Sequence, residues 1–169
     1  MPKAAAPLIL LIVLFLAALQ GCYSFNGSSL PPNLKTIAIP VFEDRSGAGI
    51  AQFRGDLTGR LANKIESQSP LRLTPSMSRA DALLEGTIIS FADAPSQLSS
   101  KTERAITNRV TLVVQVTMTD RLKKTPIFSQ SFVGFSDYRA GDYVAQQGAI
   151  RYCVSQITDE IFDRVVSGW

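Results

Sequence analysis

The chain has 169 residues, 46% apolar and 18% charged, a globular composition too apolar for a disordered segment. Its 17 basic and 14 acidic residues leave a net charge of +3, too little for a protein that holds nucleic acid through bulk charge. The absence of histidine excludes the Ser-His-Asp triad, the Cys-His dyad and every His-ligated metal site. Cys22 and Cys153 stand too far apart for a CxxC redox or zinc motif. No metal or other cofactor is expected, and composition points to a binding or assembly module rather than an enzyme.

The N-terminus sets the compartment. Lys3 precedes an unbroken apolar run from Leu8 to Leu19, the layout of a secretory signal peptide. A membrane-spanning helix needs about 20 apolar residues, and this run ends short of that at Gln20 and Gly21. Leu19, Gly21 and Cys22 resemble the bacterial lipobox, with Gln20 departing from the small residue usual between them. That resemblance implies a Cys22 sulfur carrying diacylglycerol and, after cleavage, an acylated Cys22 amino group. Each buried methylene adds about 0.8 kcal/mol of membrane affinity, so several chains hold the domain firmly. Tyr23 is not aspartate, and by resemblance to lipoprotein sorting in Gram-negative cells this favours the outer membrane, on its periplasmic face. The expected organisation is a signal peptide over 1–21, a lipidated tether over 22–33 rich in Ser, Gly and Pro, and a single domain over 34–169.

Lys35 to Phe42 alternates, with Ile37, Ile39 and Val41 on one face, and predicts a strand in which Pro40 must lie at an edge or near the end. After a loop containing Glu43 and Asp44, the residues Ile50, Phe53, Leu57, Leu61 and Ile65 recur at helical spacing up to Ser69 and Pro70. Gly55 and Gly59 lower the propensity of this helix and suggest a close approach to the sheet. Leu71 to Thr74 reads as a short strand that completes a βαβ-like start. Asp81 to Phe91 predicts a third strand, with Leu83, Glu85, Thr87, Ile89 and Phe91 on one face, and Ala92 to Glu103 a polar loop.

Arg104 to Thr119 is the clearest strand. Val110, Leu112, Val114, Val116 and Met118 line one face; Thr111, Gln115, Thr117 and Thr119, with Val113, line the other. Asp120 to Pro126 is a hairpin loop, and Ile127 to Ser136 returns with Phe128 and Phe132 opposite Val133 and Phe135. Asp142 is positioned to cap a last helix with the stripe Ile150, Val154, Ile157, Ile161 and Val165, beside which Cys153 reads as a small buried apolar residue. The order β-α-β-β-β-β-α predicts an α+β fold: a two-layer sandwich in which two amphipathic helices pack on one face of a small, mostly antiparallel or mixed sheet.

Gly21-Cys22-Tyr23-Ser24-Phe25, Ser29-Leu30-Pro31-Pro32, the run Lys35 to Glu43 and the ending Ser167-Gly168-Trp169 together resemble the lipopolysaccharide-assembly lipoprotein (LptE) family in its Bacteroidetes and Chlorobi form. The resemblance covers the mature chain and implies a non-catalytic protein at the outer membrane. Its implied partners are the β-barrel translocon LptD, which it helps fold, and lipopolysaccharide, which it helps deliver to the outer leaflet. Thr111, Gln115, Thr117 and Thr119 are the candidate barrel-facing residues, since hydroxyls and amides suit a polar lumen.

Lys101, Arg104 and Arg109 at one end of the long strand, and Arg121, Lys123 and Lys124 at the other, are candidate lipopolysaccharide contacts, because Arg and Lys suit phosphate. Ordinary solvated loop charge is the plainer alternative. Glu43 and Asp44 lack a nucleophile or ligand set, so they read as loop acids near a helix start rather than a catalytic pair. Outer-membrane lipoproteins that activate peptidoglycan synthases or build secretion pores open similarly, but the stretch from Tyr23 to Asn33 reaches about 40 Å at most, which favours a partner at the membrane itself.

Overall fold

The computed structural model describes residues 30–31, 33–48, 51–101 and 104–167. Cys22 and Ile50 lie outside the described residues, as does the 1–21 segment. The elements are β1 (Thr36–Ala38), β2 (Glu43–Asp44), α1 (Ala51–Gln68), β3 (Arg72–Leu73), β4 (Ala82–Leu98), β5 (Ala105–Asp120), β6 (Thr125–Arg139) and α2 (Tyr143–Val166). They form a mixed six-stranded sheet of order β3-β1-β4-β5-β6, with β2 also paired to β4. β1 runs parallel to β3 and β4, whereas β4, β5 and β6 form an antiparallel meander. The fold is therefore the expected α+β sandwich: α2 lies over β5 and β6 and against α1, and α1 covers the β2 and β3 side.

The alternation in β5 decides the core. Val110, Leu112, Val114, Val116 and Met118 are buried, and the residues between them are half-exposed. A slip of one residue would put this whole apolar set in water, so the register is strongly fixed. Leu57, Leu61 and Ile65 of α1 and Ile150, Val154, Ile157, Ile161 and Val165 of α2 close the core from above. Asp142 caps α2 as expected, accepting the Ala145 N–H at 2.9 Å.

Three expectations need correction. The first strand does not run to Phe42. Pro40 has no N–H for a ladder, pairing stops at Ala38, and the alternation loses phase. Val41 is then 62% exposed, whereas Phe42 is buried with its ring over Gly86, where a Cβ would meet it at 2.2 Å. Secondly, Ala92 to Leu98 is strand rather than loop; even Pro95 lies in β4, opposite Asn108. An irregularity between Ile88 and Ser90 shifts the phase. Phe91 thereby turns from the face of Glu85 and Thr87 to the helix side, where it meets Phe53 with ring centroids 5.8 Å apart. Thirdly, Gly55 and Gly59 are exposed with no described atom within 4 Å of their Cβ positions, so they do not bring α1 closer to the sheet.

Candidate functional site

Among the described residues, the helices leave one face of the β4–β5–β6 meander uncovered. Thr111, Gln115, Thr117 and Thr119 lie on this face, all half-exposed, in the arrangement that alternation predicts. Register sets Gln115 between Thr87 and Ser131, and Thr117 between Glu85 and Ser129. The result is a polar ladder: Gln115 Nε2 donates to Ser129 Oγ at 3.1 Å, Ser131 Oγ donates to Gln115 Oε1, and the Thr117 and Ser129 hydroxyls lie 2.9 Å apart. These groups are oriented by one another before any partner arrives.

The same face carries an apolar band that composition along β5 alone did not reveal. Val133 and Phe135 are 45% and 49% exposed, opposite Val113 and Thr111. Ile89, at the β4 irregularity, is exposed beside Ser90, which pairs with Val113. The strand alternation of β6 had already set Val133 and Phe135 apart from Phe128 and Phe132; only the register shows that they adjoin the Thr/Gln row. Beside the polar ladder, a groove of ≈ 470 Å³ runs under Val41 and Met77, with Glu85, Thr87, Gln115 and Thr117 at its floor.

The six basic candidates do not form one site. Lys101 and Arg104 are exposed at the β4–β5 turn, and Arg121, Lys123 and Lys124 are exposed at the β5–β6 turn. The 16 residues of β5 separate the turns, a distance of about 50 Å. Arg109 lies within β5 on the open face, not in a loop. Its Nε and one terminal nitrogen donate to both Asp137 oxygens at 2.7 and 2.8 Å, and its guanidinium lies 4.9 Å from the Phe135 ring centre. The hydrogen bond to Arg109 lowers the Asp137 pKa, and the same bond raises that of Arg109.

Glu43 and Asp44 form the short strand β2 beside Thr87 and Ile88 of β4 rather than part of the expected loop, and their side chains are engaged locally. Glu43 pairs with Arg45 at 2.6 Å, and Asp44 Oδ1 accepts the Ser46 N–H and hydroxyl at 2.9 and 2.6 Å. Among the described residues no cluster of three or more His, Cys, Asp or Glu could hold a metal ion.

A polar knot far from the β5–β6 turn was not legible in the sequence, because Asp93 fell in the expected loop. The Tyr138 hydroxyl donates to the Asp93 carboxylate at 2.6 Å, and the Gln146 and Asn108 amides converge on the same pair. It ties β4, β5, β6 and α2 together. Burial, and then the neighbouring Asp93, raise the Tyr138 pKa.

A family model described as LptE, lipopolysaccharide-assembly, matches residues 34–165. No curated protein matches the sequence significantly. The fold is similar to that of a Xanthomonas campestris protein at 11% identity and TM-score 0.58, covering 76% of this chain and 81% of that one. It is similar also to lipoprotein B from Nitrosomonas europaea, at 14% identity and TM-score 0.53 over 82% and 88% of the two chains. PelC from Paraburkholderia phytofirmans, a dodecamer, matches at 9% identity and TM-score 0.50 over 78% and 89%. At these identities the likenesses establish the fold alone. The family match spans well over half of the chain, and the chain belongs to the LptE lipopolysaccharide-assembly family.

Proposed function

We propose that this chain is a lipoprotein, acylated at Cys22 and held on the periplasmic side of the outer membrane, that docks its open sheet face to the β-barrel translocon LptD. Through that contact it supports barrel folding and delivery of lipopolysaccharide to the outer leaflet. The observation that carries the reading is the uncovered β4–β5–β6 face, where a self-ordered row of Thr, Ser and Gln adjoins the exposed Val133 and Phe135. Fixed polar groups beside an apolar band offer both hydrogen bonds and buried area to a partner, at little ordering cost. The work is binding rather than covalent chemistry, as befits a family of assembly lipoproteins.

The test is isolation from gently solubilised membranes. The native chain should co-purify with the barrel, and its depletion should lower the level of folded barrel. Val133→Glu and Phe135→Glu change exposed side chains, so the fold should hold while the barrel is lost from the complex. Recovery of a free monomer, with barrel levels indifferent to its depletion, refutes the docking. Lys101 and Arg104 at one turn, and Arg121, Lys123 and Lys124 at the other, are separable candidates for lipopolysaccharide contact. Charge reversal at each turn in turn, read by lipopolysaccharide retention, decides between them. Arg109, already paired to Asp137, is the weakest of the six.

A further inference from the structure

The β5–β6 turn carries Arg121, Leu122, Lys123 and Lys124 in succession, and all are exposed. Leu122, at the centre of this basic tip, is 69% exposed. The tip is held in shape: Asp120 Oδ1 accepts the N–H groups of Leu122 and Lys123, each at 2.9 Å, and Lys124 adopts a left-handed φ of 55°. Solvated tips often carry lysine, since charge deters edge association. A large apolar side chain exposed among three cations adds nothing to that purpose and is placed to enter an apolar layer.

The chain joins the fold at this same end. Asn33 Nδ2 lies 3.4 Å from Asp120 Oδ2, and the Arg121 N–H donates to the Asp81 carbonyl at 2.8 Å. Asp81 Oδ2 in turn accepts the N–H groups of Lys35 and Thr36 at 3.0 and 2.9 Å. Lys35 is exposed next to exposed Arg72, whose N–H donates to the Lys35 carbonyl at 2.9 Å. The carboxylates here offset only part of this charge: Asp120 stands near Lys123 and Asp81 near Lys35, and the turn's three cations outnumber its one carboxylate. Asp81 and Asp120 point to backbone N–H groups, Glu66 accepts the Leu73 N–H at 3.2 Å, and Asp163 lies back on the end of α2. From Cys22 to Leu30 the chain can span no more than about 30 Å, even fully extended.

We infer that the Arg121–Lys124 turn is a second membrane contact, seating Leu122 at the acyl boundary of an anionic glycerophospholipid leaflet while the surrounding cations meet headgroup phosphates. The inference rests on the reading of Cys22 as the lipid anchor. A single apolar residue binds a membrane weakly by itself, but an anchor within such a short reach keeps the turn at high effective concentration beside the leaflet. Basic residues then add attraction that depends on lipid charge and falls with salt. Two contacts at one end of the sheet fix which end faces the leaflet, which a single anchor point cannot do.

The experiment uses the full acylated chain in vesicles that contain neither barrel nor lipopolysaccharide. A polarity-sensitive dye is placed at Leu122→Cys, with Leu98→Cys at the far end of β4 as the reference position. Buried Cys153 and acylated Cys22 do not compete for the label. In phosphatidylglycerol–phosphatidylethanolamine vesicles the dye at 122 should brighten severalfold and shift to shorter wavelength. Phosphatidylcholine vesicles or high salt should weaken the change, and the dye at 98 should keep its aqueous emission. Adding Arg121→Gln, Lys123→Gln and Lys124→Gln should return the signal at 122 to the phosphatidylcholine level. Unchanged emission at 122, or an equal shift at 98, overturns the inference. So does a shift with lipopolysaccharide micelles but none with phosphatidylglycerol, which would return the turn to lipopolysaccharide binding. Intact mass separates the two readings: an unmodified Cys22 overturns the anchor and this inference with it, whereas acylated Cys22 with silent dye overturns this inference alone.

Discussion

Gly134 of β6 lies directly against the backbone of Cys153 in α2: a Cβ at residue 134 would stand 2.8 Å from the Cys153 carbonyl oxygen and 3.2 Å from its Cα. The neighbour is helix backbone rather than the end of a flexible side chain, so it cannot turn aside. This one position sets how closely the helix layer settles on the sheet. Gly134→Ala should therefore destabilise the protein by about 1–3 kcal/mol, the usual cost of overpacking, and Gly134→Val by more. Denaturant unfolding measures it, and a neutral Gly134→Ala would show that α2 can shift freely on β6.

Gly55 and Gly59 are the opposite case. Both face solvent on α1, and no heavy atom of the described residues lies within 4 Å of where a Cβ would stand. Glycine costs roughly 0.8–1 kcal/mol relative to alanine inside a helix. Gly55→Ala and Gly59→Ala should each raise stability by about that amount, and the gains should add, because nothing else changes. Thermal melts of the single and double variants test this.

Cys153 is fully buried, and burial pushes its thiol up to about 11. The thiolate is the reactive form, so the native protein should resist alkylation at neutral and mildly alkaline pH and react rapidly once unfolded. Cys153→Ala should cost on the order of 1 kcal/mol through a small cavity and leave barrel co-purification unchanged. Lost co-purification at unchanged stability would assign the thiol a role beyond packing.

Asp81 anchors the start of β1. The backbone N–H of Lys35, then the hydroxyl and N–H of Thr36, lower its pKa below the ordinary 3.8. A depressed folded-state value means that the unfolded chain binds the proton more readily. The stabilisation is thus complete above the unfolded value and fades as pH falls through the folded one. Unfolding midpoints should decline below about pH 4, and Asp81→Asn should lower stability near neutrality while flattening that acid slope. Asp120 and Asp137 shift in the same direction and leave a residual slope. An unchanged acid profile in Asp81→Asn would remove Asp81 as a source of it.

Much of this molecule was determined by local pattern. Alternation in β5 and the stripes Leu57–Leu61–Ile65 and Ile150–Val154–Ile157–Ile161–Val165 fix which side chains meet the core, because period and apolarity act within a single element. That was enough to specify two helices on one sheet face and to place Thr111, Gln115, Thr117 and Thr119 on the other. The sequence alone also supplied the family resemblance, which the match over residues 34–165 bears out. What it could not supply were features created where the period breaks or where elements meet. Pro40 turned Phe42 inward in place of Val41, and the shift after Ile88 turned Phe91 toward α1; a one-residue change of phase is invisible to a pattern read in isolation. Strand pairing then brought Val133 and Phe135 beside the Thr/Gln row, carried Asp93 to Tyr138, and set Asn33 against the base of the basic turn. Those contacts join residues far apart in the chain, and only the assembled sheet, with its register fixed by core burial, decides them.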